Sequence, residues 1–182
     1  MELTLILGPM KSGKSFELIN HFAPLKYTNE KFALFHSAKN VRDDAVRSRN
    51  NLNLEAKKIN SIKEIVSLGC GVVGIDEIHM FPDDDAKYVS GLLRWGTRVV
   101  ISGLDTDYRG RMFEIVKNLL ELGPNAVHYK RAVCDNCRQP EAIYTQVLKD
   151  GVPVLKDMPP SIPDDGTHTY LAVCRRCFKK LN

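Results

Sequence analysis

Short apolar runs alternate with helical patterns over the first 130 residues. Five apolar or β-branched residues, Leu3 to Leu7, stand before a Gly-Pro pair and predict a strand that is buried on both faces. Similar runs predict further strands at 32–35, 72–76 and 98–102. Apolar residues at helical spacing, with turn residues at the ends, predict helices at about 13–22, 82–95 and 111–122. This alternation predicts an α/β domain whose parallel sheet carries helices on both faces.

The pattern changes after residue 130. Two β-favouring runs, 142–148 and 152–155, flank a Lys-Asp-Gly turn and predict a hairpin. Three prolines predict an irregular loop over 158–166, and polar residues predict another loop over 38–54. We therefore expect an α/β domain at 1–130 and a small module at 131–182.

Composition excludes several classes of protein. The chain has 182 residues, of which 43% are hydrophobic and 26% charged, as in soluble globular proteins. No apolar run approaches the roughly 20 residues of a membrane helix, and no basic segment precedes the first apolar run as in a secretory signal. A cytoplasmic location is therefore expected. The net charge of +4 is too small to predict nucleic-acid binding by itself.

A phosphate-binding motif follows the first predicted strand. The motif G-x-x-x-x-G-K-[ST] is matched in full by Gly8, Pro9, Met10, Lys11, Ser12, Gly13, Lys14 and Ser15. Its backbone N–H groups can surround a phosphate, its lysine can reach the β and γ phosphates, and its serine can bind Mg²⁺. The motif predicts an ATP site with a magnesium ion.

Two adjacent acidic residues end the strand predicted at 72–76. Asp76 is placed to hold the Mg²⁺ of the nucleotide, together with Ser15. Glu77 follows directly, and its carboxylate can take a proton from an attacking hydroxyl or water. Phosphoryl transfer from a nucleoside triphosphate is therefore predicted, but these residues do not identify the acceptor.

Four of the five cysteines form two Cys-x-x-Cys pairs, Cys134 with Cys137 and Cys174 with Cys177. Two such pairs are typical of a closed tetrahedral zinc site, which has a structural role. The metal would clamp the hairpin and loop that lie between the two pairs. Cys70 stands apart and is expected to be a small core residue.

The same motifs leave a second function open, that of a zinc-ribbon P-loop ATPase that binds nucleic acid. Basic residues surround the cysteine pairs, namely Lys130, Arg131, Arg138, Arg175, Arg176, Lys179 and Lys180. Against this hypothesis, the module lacks the interleaved aromatic residues on which single-stranded bases stack. A chain of this length also leaves no room for a second motor lobe.

The order of these motifs resembles the type II thymidine kinases over nearly the whole chain. The resemblance rests on Gly-Pro-Met-x-Ser-Gly-Lys-Ser, the strand ending Gly-Ile-Asp-Glu, Phe-Pro-Asp after it, Leu104-Asp105 with Tyr108 and Phe113, and Tyr170-x-x-Val173-Cys174. It implies a P-loop, RecA-like fold with a zinc-ribbon or lasso module. It also implies transfer of the ATP γ-phosphate to the 5′-hydroxyl of thymidine. Members of this family are usually homotetramers, so the resemblance implies a homotetramer as well.

Residue roles also follow from the resemblance. Glu77 matches the family's general base, and Tyr170 matches a tyrosine that helps to hold thymine. Positions that line the base pocket match Met10, Leu104, Tyr108 and Phe113. Arg42 stands where the family has an arginine near the phosphates.

The chain departs from the family pattern close to the expected nucleoside. His79 and Met80 replace the usual Gln and Phe after the catalytic glutamate. Asp165 and Gly166 stand in place of a Gly-Gly pair in the loop that encloses thymine, so Asp165 replaces a residue that tolerates positive φ. We therefore expect the reaction type to be the same as in the family. We expect the enclosing loop to bind the nucleoside less well, so that catalytic efficiency is lower than with a Gly-Gly pair.

Overall fold

A six-stranded parallel sheet forms the centre of the protein, as expected for the α/β class. The computed structural model describes residues 2–40, 45–47, 53–154, 158–160 and 166–179. The strands of this sheet are β1 (Glu2–Leu7), β2 (Phe32–Ser37), β5 (Lys57–Ile59), β6 (Val72–Asp76), β7 (Arg98–Gly103) and β8 (Ala126–Tyr129). Their order is β5-β2-β6-β7-β1-β8, and every neighbouring pair is parallel. The carboxyl ends of β1 and β6 therefore meet at one edge of the sheet.

Helices cover both faces of this sheet. Helix α1 (Lys14–Phe22) packs Leu18, Ile19 and Phe22 against one face. Helices α2 (Ala86–Arg94) and α3 (Glu114–Glu121) pack against the other. Short 3₁₀ turns span Ala23–Tyr27, Ile62–Ile65, Ile78–Met80 and Asp83–Asp85. Within the described ranges, no helix is long and apolar enough to cross a membrane.

Three details of the first 130 residues differ from the sequence prediction, and the first is that strands β5 and β8 of the central sheet were not predicted. Strands β3 (Ala45–Arg47) and β4 (Asn53–Glu55) form an antiparallel pair inside the segment that was predicted to be a loop. Three-residue strands are too short to show a hydrophobic period. Helix α3 begins at Glu114 rather than at residue 111, because the carboxylate of Asp107 accepts the backbone N–H groups of Arg109 and Arg111 and fixes a turn there.

The C-terminal part is built on a small antiparallel sheet. Strand β9 (Tyr144–Lys149) pairs with β10 (Val152–Pro153), which confirms the predicted hairpin, and also with β11 (Thr169–Val173). The sequence pattern did not reveal β11. The core of this part is small, with Cys134 and Cys174 packed among alanines, and the rings of Tyr144 and Phe178 stack at 4.4 Å.

The small sheet lies against the carboxyl edge of the central sheet. The backbone N–H of Met10 donates to Thr145 Oγ1 at 3.0 Å, which joins the phosphate loop to β9. Tyr108, from the loop after β7, packs with Val147 and Val154. Gly8 passes so close to the carbonyl oxygen of Lys130 that a Cβ would stand 2.5 Å from it. Residues from both parts of the chain therefore line the same edge.

Candidate functional site

The phosphate-binding motif forms the turn between β1 and α1. Gly8 and Gly13 have φ values of 147° and 79°, which explains the need for glycine at both positions. Lys14 begins α1 and is buried, and its Nζ donates to the carbonyl oxygen of Pro9 at 2.7 Å. Burial lowers the pKa of Lys14, against the opposing effect of the Glu77 and Asp76 carboxylates. The charge of Lys14 therefore lies inside the loop, at the amino end of a helix.

Asp76 ends β6 beside this loop. Its carboxylate accepts hydrogen bonds from Ser15 Oγ at 2.9 Å, from the Glu77 N–H at 3.0 Å, and from Ser102 Oγ. Burial and then the neighbouring Glu77 raise the pKa of Asp76, although these hydrogen bonds oppose the rise. Ser15 and Asp76 thus offer adjacent oxygen atoms, the kind of ligand that Mg²⁺ prefers.

Asp105 is a third acidic residue near Lys14 that sequence reasoning did not assign to the site. Burial raises the pKa of Asp105, whereas its own backbone contacts and Lys14 lower it. Its position directly after β7 is the signal that could have identified it, because β7 is the neighbour of β6 in a parallel sheet.

Glu77 lies directly beyond the end of β6 in an unusual conformation. Its φ of 55° is in the left-handed region, which costs a non-glycine residue about 1–3 kcal/mol and is frequent at functional sites. The Glu77 carbonyl accepts the N–H of Met80 at 2.9 Å, which fixes this turn. The side chain is 25% exposed and lines the cavity described below, so its carboxylate can reach a bound molecule.

His79 lies beside Glu77 and is buried. Its Nδ1 accepts the backbone N–H of Leu104 at 3.3 Å, and its ring lies 5.2 Å from that of Phe113. Burial, with a smaller effect from Lys14, lowers the pKa of His79 to about 3. The ring is therefore neutral, with its proton on Nε2, and its 3.4 Å contact with the Glu77 carboxylate is not an ion pair.

A cavity of about 70 Å³ opens between the two sheets. Its lining includes six residues that were predicted to bind the nucleoside: Met10, Met80, Leu104, Tyr108, Phe113 and Tyr170. It also includes residues that sequence reasoning missed: Asn40, His79, Thr106, Asp107, Thr145, Val147 and Pro160. Thr145 and Val147 share one face of β9, and their alternation along a strand is the signal that could have identified them.

One expected nucleoside-binding residue that the structure describes, Gly166, does not line this cavity. Gly166 has a φ of 87°. Arg42 and Asp165 lie outside the described residues. Beside the cavity, a cleft of about 570 Å³ shares His79 and Phe113 and carries basic side chains such as Arg111.

The four paired cysteines converge at one point. Their sulfur atoms all lie within 4.8 Å of one another, and Cys137 Sγ is 3.7 Å from Cys174 Sγ. Tetrahedral zinc with Zn–S bonds of about 2.3 Å requires sulfur atoms about 3.8 Å apart, so the arrangement fits zinc. Although burial opposes it, backbone N–H groups, including that of Cys174, lower the pKa of Cys134 to about 6. These donors favour the thiolate that a metal needs.

The low pKa of His79 predicts that the stability of the protein depends on pH. Between pH 3 and 6.5, His79 binds a proton in the unfolded chain but not in the native chain. The free energy of unfolding therefore decreases as the pH falls through this range. From pH 7 to pH 5 the free energy of unfolding should drop by about 2 kcal/mol through this residue.

His79→Gln should therefore remove most of this drop, which urea unfolding at the two pH values will measure. His21→Gln, which replaces an exposed histidine, serves as the control and should behave like the wild type. An unchanged drop in His79→Gln would contradict the assignment.

Comparison with known proteins identifies a family for the whole chain. The family model described as "Thymidine kinase" matches residues 1–178. A thymidine kinase of Chloroflexus aurantiacus is 34% identical over 97% of this chain and 94% of its own length. That of Thermococcus kodakarensis is 37% identical, covering 95% and 91% of the two chains, and that of Mycoplasma mobile is 32% identical, covering 96% and 86%. A family match of this extent, together with these relatives, shows that the chain belongs to the thymidine kinase family.

Proposed function

We propose that this protein transfers the γ-phosphate of ATP to the 5′-hydroxyl of thymidine. Family membership supports phosphorylation of thymidine. The observation that carries the mechanism is the position of Glu77, which lies next to Asp76 and also lines the cavity between the two sheets. A carboxylate in this position lies between a triphosphate site and a nucleoside site.

In the proposed mechanism, the phosphate loop binds the triphosphate. Residues Gly8 to Ser15 surround the phosphates with backbone N–H groups, and Lys14 holds the β and γ oxygens. Ser15 and Asp76 hold a magnesium ion, which neutralises the negative charge on the phosphates when it is bound. Burial lowers the pKa of Lys14 and raises that of Asp76, so it favours the neutral form of each side chain. A bound phosphate would stabilise the charged form of Lys14, and a bound cation would stabilise that of Asp76.

Glu77 acts as the general base. Its carboxylate accepts the proton of the 5′-hydroxyl as the hydroxyl oxygen attacks the γ-phosphorus. The bond between the γ-phosphorus and the β–γ bridging oxygen breaks, and the products are thymidine 5′-phosphate and ADP. The left-handed backbone of Glu77 turns the chain directly after β6, which brings the side chain to the cavity. Neutral His79 adds no competing positive charge beside this carboxylate.

We assign the nucleoside to this cavity together with the adjoining cleft of about 570 Å³, because the cavity alone is smaller than a nucleoside. Leu104, Tyr108 and Phe113 provide the apolar side of the cavity, and Thr145 and Tyr170 contribute hydroxyl groups from the small sheet. We include Asp165 and Gly166 in the segment that closes over the base, and Arg42 among the groups near the phosphates. This assignment rests on their match to the family motif in the sequence.

The alternative, an ATPase that binds nucleic acid, is not favoured. Val147 and Tyr170 of the C-terminal module form part of the cavity wall, so the module serves the same site as the phosphate loop. We further propose that residues 1–130 and 131–182 are the two structural units, that the zinc is structural, and that the enzyme works as a cytoplasmic homotetramer.

A transfer assay with ATP and Mg²⁺ against a panel of nucleosides tests the substrate. Thymidine should be phosphorylated. The kcat/KM for deoxyuridine should be lower by roughly tenfold or more, because deoxyuridine lacks the methyl group. Single-stranded DNA should not stimulate ATP hydrolysis. Phosphorylation of another nucleoside instead of thymidine would refute the substrate, and DNA-stimulated hydrolysis without transfer would favour the alternative.

Glu77→Gln tests the general base. The amide cannot accept the proton, so kcat should fall by about 10²–10⁴-fold. Affinity for ATP should change little, because the amide keeps the size of the side chain. Glu121→Gln, which alters an exposed residue at the end of α3, is the matched control and should retain full turnover. Near-normal turnover of Glu77→Gln would exclude it as the base.

Metal content tests the zinc site. The wild type should retain one zinc ion per chain, and Cys174→Ser should lose it and raise the KM for thymidine, because the segment between the cysteine pairs is no longer clamped. Cys70→Ser provides the control, since Cys70 lies outside the cluster. A wild type purified without zinc under reducing conditions, or full activity after replacement of all four cysteines, would refute the site.

A further inference from the structure

An ion pair joins the phosphate loop to the first cysteine knuckle. Lys11 Nζ lies 2.7 Å from Asp135 Oδ2, and 124 residues separate the two along the sequence. The side chains are 29% and 20% exposed, so the pair is partly shielded from water. Asp135 stands between Cys134 and Cys137, so it belongs to the segment that the proposed zinc would fix.

Asp135 is itself held firmly. Its Oδ2 also accepts the backbone N–H of Ala172 at 2.7 Å, and its own N–H donates to the Ala172 carbonyl at 2.8 Å. Ala172 is buried in β11 and lies two residues before Cys174, the first cysteine of the second pair. The carboxylate that receives Lys11 is therefore fixed by the framework of the module.

Lys11 lies at a strained point of the phosphate loop. Its φ of 64° is in the left-handed region, where a residue with a side chain is disfavoured. Its neighbour Met10 donates its backbone N–H to Thr145 Oγ1 at 3.0 Å, which is a second link to the module. Lys14, in contrast, points back to the Pro9 carbonyl inside the loop. Lys11 thus extends toward the module, and Lys14 extends into the phosphate site.

We propose that Asp135 and Lys11 are positioning residues that hold the phosphate loop in its binding conformation, so that the C-terminal module contributes to nucleotide affinity as well as to the nucleoside cavity. This proposal rests on the proposed function only in that the loop binds ATP. Neither residue touches the reacting atoms. The ion pair opposes relaxation of the left-handed residue and keeps the Met10 N–H aligned with Thr145.

A purely electrostatic role of Lys11 in attracting phosphate predicts a different effect of the Asp135 variant on ATP binding than the positioning role does. If Lys11 merely attracted phosphate, removing its charge would weaken ATP binding, and removing the negative charge of Asp135 would strengthen it. If the pair positions the loop, both changes weaken binding. Asn at position 135 can still accept the Ala172 N–H through its amide oxygen, so Asp135→Asn removes the charge while keeping that contact.

The experiment measures the Kd of the full-length, zinc-loaded protein for the β,γ-imido analogue of ATP with Mg²⁺, by calorimetry. Lys11→Met and Asp135→Asn should each raise the Kd by about twofold to fivefold, as expected for a partly shielded ion pair. The double variant should be no weaker than the weaker single variant, because both changes remove the same ion pair. Lys11→Arg should restore affinity to within about twofold of the wild type.

The control for charge is Glu141→Gln, which removes an exposed carboxylate from the same module and should leave the Kd unchanged. Zinc content, measured on every variant, verifies that the module is intact. Tighter binding by Asp135→Asn, or unchanged binding in both single variants, overturns the proposal. A wild type that binds no nucleotide would refute the proposed function as well, so the two failures are distinguishable.

Discussion

Lys14 and Asp76 are both buried at the carboxyl edge of the central sheet, and the surrounding structure must compensate their charges. Removing an ion from water is costly unless hydrogen bonds or an opposite charge replace the water. Asp76 receives three hydrogen bonds, two of them from Ser15 and Ser102 on neighbouring elements. Lys14 donates to the Pro9 carbonyl in the turn. The turn, helix α1 and strand β7 are therefore placed by the same electrostatic requirement.

The protein's own groups compensate these two charges only in part. Burial moves the pKa of Lys14 down and that of Asp76 up, each toward the neutral form. A bound phosphate would offset the desolvation of Lys14, and a bound divalent cation would do the same for Asp76. In the proposed function, binding of a magnesium nucleotide would offset the free energy that burial of these two groups costs, and strained or poorly solvated groups are common at functional sites for this reason.

The C-terminal module acts on this edge from the outside. Its core is too small to hold a fold by apolar burial alone, which is the usual situation in which a metal contributes the stability. Once fixed, it presents Thr145 and Val147 to the cavity and Asp135 to the phosphate loop. A metal held by the four cysteines would therefore organise both of the proposed substrate-binding regions, because β9 and the first knuckle face the same edge of the central sheet.

Features that depend on neighbouring residues could be predicted from the sequence. Apolar runs identified four of the six central strands, the glycine spacing identified the phosphate loop, and the Cys-x-x-Cys spacing identified the two cysteine pairs, because each of these patterns depends on residues that are close along the chain. Strands β3, β4, β5, β8 and β11 were not found, since they are short and are stabilised by pairing with other segments. The folded structure was needed to show that His79 is buried against Leu104, that Asp105 lies near Lys14, and that Lys11 contacts Asp135. These features depend on burial and on contacts between distant segments, which no local pattern encodes.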